Sequence, residues 1–128
     1  MVPEVHKREL DRLLIASLAS AGLLLSATSQ AAAAERGLTR VVYEFAVTSY
    51  CGTLDPAVEA GFQAELKAVT QRSGLDSEAA RQQRLRGWVE AEREWRNRGL
   101  GGNRAWCAGE GVEAARHFQA IARGERQP

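Results

Sequence analysis

Between residues 38 and 50 the apolar positions fall on two helical faces. Leu38, Val41, Val42, Phe45 and Ser49 share one, and Tyr43, Val47 and Tyr50 share another. A helix that is apolar on two sides is one that neighbouring elements cover. Val41, Tyr43, Phe45 and Val47 also alternate, which suits a strand. Helix is the expectation, because no other segment offers a partner strand.

The next three segments carry helical punctuation. Asp55 reads as an N-cap and Pro56 as the first helical residue, where a missing N–H costs nothing. Val58, Phe62, Leu66 and Val69 then repeat at helical spacing, and Gly74 before Leu75 reads as a left-handed stop with a Schellman contact. A third helix is expected from Asp76 or Ser77 to about Arg98. Its apolar stripe is Leu85, Trp88, Val89 and Trp95, with Glu92 lying inside it. Glu92 with Arg96 and Glu94 with Arg98 are acid-to-base pairs four residues apart, each worth a few tenths of a kcal/mol. The fourth segment begins near Asn103. Gly109 and Gly111 disturb it, and Val112, Ala115, Phe118 and Ala122 complete it. The expectation is an all-α domain of three to four helices, a small four-helix fold with short connections.

Ahead of these helices the pattern changes. Residues 13–34, LLIASLASAGLLLSATSQAAAA, carry no charge, and the strongly apolar part ends near Ala27. That is the length of the apolar region of a secretory signal peptide, and the alanines offer A-x-A cleavage sites. The preferred cut follows Ala34, giving a signal peptide over 1–34 and a helical domain over 35–128. An uncleaved anchor is the competing reading, because 22 uncharged residues are long enough to span a bilayer. Ser17, Ser20, Ser26, Thr28, Ser29 and Gln30 dilute the segment and favour cleavage. The expected location is therefore periplasmic or secreted, with no membrane attachment after cleavage.

Charge narrows the partners. The chain has 128 residues, with 17 Lys+Arg against 16 Asp+Glu and a net charge of +1. Cleavage removes three residues of each sign, so the balance survives. Neither sign dominates, which argues against nucleic acid or an anionic membrane as partner. Lys67 is the only lysine beyond residue 34; the other basic residues there are arginines.

Cys51 and Cys107 form an even pair in a chain that reads as exported, so a disulfide is expected. It would pin the end of the first helix to the start of the fourth. A closed loop of almost sixty residues is worth about 4 kcal/mol in the chain-entropy model. That is a large share of the margin of so small a domain. There is no C-x-x-C. Two thiols and His117, the one histidine after residue 34, fall short of a structural zinc site. No metal and no cofactor are expected.

Four features are candidates for chemistry. His117 is the one imidazole available for general base work, but it sits on the flank of the fourth helix and reads as a surface residue. Glu92, flanked by indoles, would have a raised pKa if buried; the plainer reading pairs it with Arg96 or Arg81. The stretch Arg96 to Arg104, RNRGLGGNR, sets three arginines around glycines at a helix junction. It is neither a phosphate-binding P-loop nor a dinucleotide fingerprint. It reads as a cap and turn, with contact to an anion or an acidic protein as the sharper alternative. Trp88, Trp95 and Trp106 either fill the core or join those arginines in a binding patch, since Trp and Arg dominate interface hot spots.

In architecture the expected domain resembles small helical periplasmic chaperones with one disulfide, although it matches none of their motifs and no residue role carries over. The functional expectation is a protein that acts by binding and not by catalysis. It would be a subunit, inhibitor or chaperone of another periplasmic protein, using Trp88, Trp95, Arg96, Arg98, Arg104 and Trp106. The alternative is a small-ligand binder with an aromatic pocket between the first and third helices, near Tyr43, Tyr50, Trp88, Trp95 and Glu92.

Overall fold

The structure is a computed structural model that describes residues 37–128. The expected signal peptide, 1–34, lies outside the described residues. Helix α1 covers 37–50, α2 Pro56–Ser73, α3 Ser77–Asn97, α4 Gly102–Trp106 and α5 Val112–Ala122. A π-helical turn, Cys107–Gly111, joins α4 to α5. Residues 102–122 thus run on as one helix, so the described residues form four helical segments and no strand.

The helix boundaries follow from local chemistry. The Asp55 carboxylate accepts the Val58 N–H at 2.7 Å, and Asp76 accepts the Ala79 N–H at 2.8 Å. Each satisfies one of the donors a helix start leaves unpaired. Gly74 takes φ 65°, the left-handed stop its glycine permits. The glycine-rich segment after Trp106 stays helical but widens by one residue into the π turn.

Two apolar clusters make the core, and α1 contributes to both. In the first, Leu38, Val41 and Val42 meet Val58, Phe62 and Val69 of α2, Ala80 of α3, and Ala115, Phe118 and Ile121 of α5. Phe45 stacks on Phe62 with ring centroids 3.8 Å apart, and Phe62 meets Phe118 edge-on. In the second, Ala46 and Val47 meet Ala91 of α3 and Trp106, with Tyr43, Tyr50, Trp95 and both cysteines packed around them. This is the doubly covered α1 expected from its two apolar faces.

The α3 stripe is a correction. Leu85, Trp88 and Val89 are 55%, 39% and 43% exposed, and Ala80, Gln83, Gly87 and Ala91 are the buried residues. The reason is backbone proximity. A Cβ on Gly87 would lie 2.7 Å from the Thr39 carbonyl oxygen and 2.9 Å from Val42 Cβ, so α3 crosses α1 on a strip of small side chains. Leucine or tryptophan there would hold the helices apart. Gln83 is tolerated inside because the Thr39 hydroxyl donates to its side-chain oxygen. At Gly61 of α2 the fit is tighter still, for a Cβ would lie 1.9 Å from the Phe118 carbonyl oxygen.

Candidate functional site

The Cys51–Cys107 disulfide forms, pinning the residue after α1 to the first residue of the π turn. Gly111 lies directly against it, where a Cβ would meet Cys51 Sγ at 2.9 Å. Thr53 reinforces the same corner, its hydroxyl lying 3.3 Å from the Thr48 carbonyl and 3.4 Å from that of Gly111.

The π turn sets Glu110 beneath Trp106. Glu110 Oε2 accepts the Trp106 indole N–H and the Tyr43 hydroxyl, each at 3.0 Å. One carboxylate oxygen therefore ties α1 to the α4–α5 helix. Burial, followed by the hydrogen bond to Glu110 and its charge, pushes the Tyr43 phenol up to about 12. Glu110 was not among the residues singled out from sequence. An acid one turn after Trp106 was the available signal, and only the widened turn makes it converge with Tyr43.

The residues expected to make one partner-binding surface divide into an inner and an outer set. Trp106 is 3% exposed, and half-buried Trp95 lies between Tyr50, stacked at 5.4 Å, and Trp106 at 6.3 Å. The Arg98 guanidinium sits 4.7 Å over the Trp106 ring and pairs with Glu94 at 2.6 Å. Trp95, Arg98 and Trp106 therefore close the second core cluster. Trp88, Arg96 and Arg104 remain outside. Trp88 rests edge-on against Phe45, at 6.2 Å. Glu92 takes the plainer of its two roles, with Oε1 accepting from Arg96 at 2.6 Å and its side chain 44% exposed. It is not enclosed by indoles, because Trp88, with Leu85 and Val89, faces solvent while Trp95 turns into the second core cluster. The glycines of the α3–α4 junction are turn residues, with Gly99 and Gly101 at positive φ.

His117 also departs from expectation. Its side chain is 21% exposed and held between α2 and α5, with Nε2 2.6 Å from Glu65 and Nδ1 2.6 Å from Arg126. A guanidinium only donates, so Nδ1 is the acceptor and Nε2–H faces the carboxylate. Both ring nitrogens are engaged. Among the described residues there is no cluster of three metal-ligating side chains, and no helix is long and apolar enough to cross a membrane.

A concave feature lies between α1 and α3. It is a cleft of about 810 Å³ lined by Thr39, Arg40, Tyr43, Gln83, Arg86, Glu90, Arg93 and Glu94. Of the residues expected to line an aromatic pocket between the first and third helices, Tyr43 is in the cleft wall; Tyr50, Trp88, Trp95 and Glu92 are not. Arg40 is paired with Glu44 at 2.6 Å and Glu94 with Arg98. Arg86, Glu90 and Arg93 form no ion pair among the described residues. Arg86 and Arg93 are seven residues apart, about 10 Å along the helix axis. Comparison with known proteins finds no match to a family model, a curated protein or a solved structure.

Proposed function

We propose that this chain is an exported, disulfide-stapled binding protein that holds a polar segment of a partner protein in the cleft between α1 and α3. The observation that carries the reading is the cleft wall itself. Its volume is in the range of ligand sites, but such sites are mostly apolar. Here five of the eight lining residues are arginine or glutamate, and three of them, Arg86, Glu90 and Arg93 on one α3 face, form no ion pair among the described residues. A segment of a protein with both acidic and basic side chains would pair with them; a small apolar molecule would leave them unsatisfied. The disulfide supports a compartment outside the reducing cytoplasm, and the uncharged residues 13–34 support export by a cleaved signal.

The test is photo-crosslinking in the native host, with a reactive residue replacing Arg86 or, as a control, Arg116 on the exposed side of α5. The reading expects defined adducts from position 86 and not from 116. It expects Arg93→Glu to remove them without lowering the melting temperature. Identical adducts from both positions, or adducts indifferent to Arg93→Glu, overturn it.

A further inference from the structure

The side of α3 turned away from the core is independent of the cleft. At 100° per residue, the centre of the Leu85, Trp88 and Val89 patch lies about 135° around the helix from Ala80, Gly87 and Ala91. These three exposed apolar side chains form the middle of the face. Trp88 is braced edge-on against Phe45. Exposed apolar residues gathered on one helix face are a mark of an interaction site.

The charges at the two ends of the patch say what covers it. Toward the helix start lie Glu78 and Arg81, paired at 2.8 Å; toward its end lie Glu92 and Arg96, paired at 2.6 Å. Read forward the order is acid, base, apolar, acid, base. Read backward, every acid is replaced by a base. We propose that two copies of this chain pair through the outward faces of α3, antiparallel, about a two-fold axis level with the middle of the Leu85, Trp88 and Val89 patch. In that register Glu78 faces Arg96 of the second copy, Arg81 faces Glu92, and Leu85 packs against Trp88 and Val89. Each end of the interface becomes a ring of four alternating charges. A parallel pairing would set Glu78 on Glu78 and Arg81 on Arg81, so the sequence of charges selects the antiparallel form. Such an isologous contact is the commonest geometry of homodimers. A single helix pair buries less than the roughly 800 Å² per partner of a standard stable complex. The dimer is therefore weak and depends on concentration. It leaves both α1–α3 clefts open, giving two binding sites on one particle.

Sedimentation velocity on the full-length, disulfide-bonded chain tests this. The wild type should move from monomer to dimer as concentration rises through the micromolar range. Leu85→Glu should remain monomeric, and Arg81→Glu and Glu92→Arg should each be at least tenfold weaker. Mixing Arg81→Glu with Glu92→Arg should restore association, because every facing pair in the mixed dimer is then opposite in charge. Circular dichroism establishes that each variant is folded. Association through the apolar residues 13–34 would not respond to these substitutions. A wild type that stays monomeric into the hundreds of micromolar overturns the proposal, and so does a dimer indifferent to Leu85→Glu or a mixture that fails to recover. The α1–α3 cleft reading is untouched by any of these results.

Discussion

Replacing both cysteines, Cys51→Ala with Cys107→Ala, is the most informative test of how this small domain is held together. The two residues are 56 apart in sequence. In the chain-entropy model a loop of that length restrains the unfolded state by about 4 kcal/mol. A typical margin of roughly 0.05–0.15 kcal/mol per residue gives the folded part about 5–14 kcal/mol in total. The bridge is then between a third and most of the stability. An unfolding entropy near 2.1 cal/mol/K per residue converts this loss to about 20 °C in melting temperature. Some native-state loss adds to it, because Gly111 leaves no room for a Cβ beside Cys51 and both cysteines pack against the second core cluster. Urea and thermal unfolding followed by far-UV circular dichroism, oxidised wild type against the double variant, would measure the difference. A shift below about 5 °C would refute the reasoning. It would mean that the α1 end and the π turn stay together in the unfolded chain without the bridge.

Two further outcomes follow from the packing. Gly61→Ala drives a methyl into the Phe118 carbonyl and should cost about 3 kcal/mol or more, whereas Gly109→Ala meets no atom and should be neutral or stabilising by up to about 1 kcal/mol; urea midpoints compare the two. The Tyr43 phenol is raised to about 12 from an ordinary value of 10.0, so the folded state keeps a proton that the unfolded state releases. Its contribution is present below pH 10 and is lost as the pH climbs to about 12. Tyr43→Phe should therefore make stability fall less steeply across that interval, as read from denaturant midpoints at pH 9, 10 and 11.

The sequence was most legible where an interaction is local. Asp55, Pro56, Gly74 and Asp76 mark helix ends because caps and left-handed turns involve residues a few positions apart, and each does so in the structure. The ion pairs Glu92–Arg96 and Glu94–Arg98 follow from helical spacing alone. The disulfide followed from an even cysteine pair behind an export-like segment, and the disturbance at Gly109 and Gly111 is the π turn.

The face of α3 that enters the core was decided by tertiary structure. Hydrophobicity along the chain ranks Leu85, Trp88 and Val89 above Ala80, Gly87 and Ala91, yet close crossing of two helices selects for small side chains over apolar ones. That choice turned Trp88 outward and left Glu92 half-exposed, paired with Arg96. The cleft was fixed in the same way, since Tyr43 and Arg93 are 50 positions apart and line one cleft only once Gly87 lets α1 and α3 touch. Sequence by itself determined where helices begin, end and are stapled, because those effects act within a turn or through a covalent bond. Which faces meet, and which side chains stay exposed, depended on backbone distances that exist only after the helices pack.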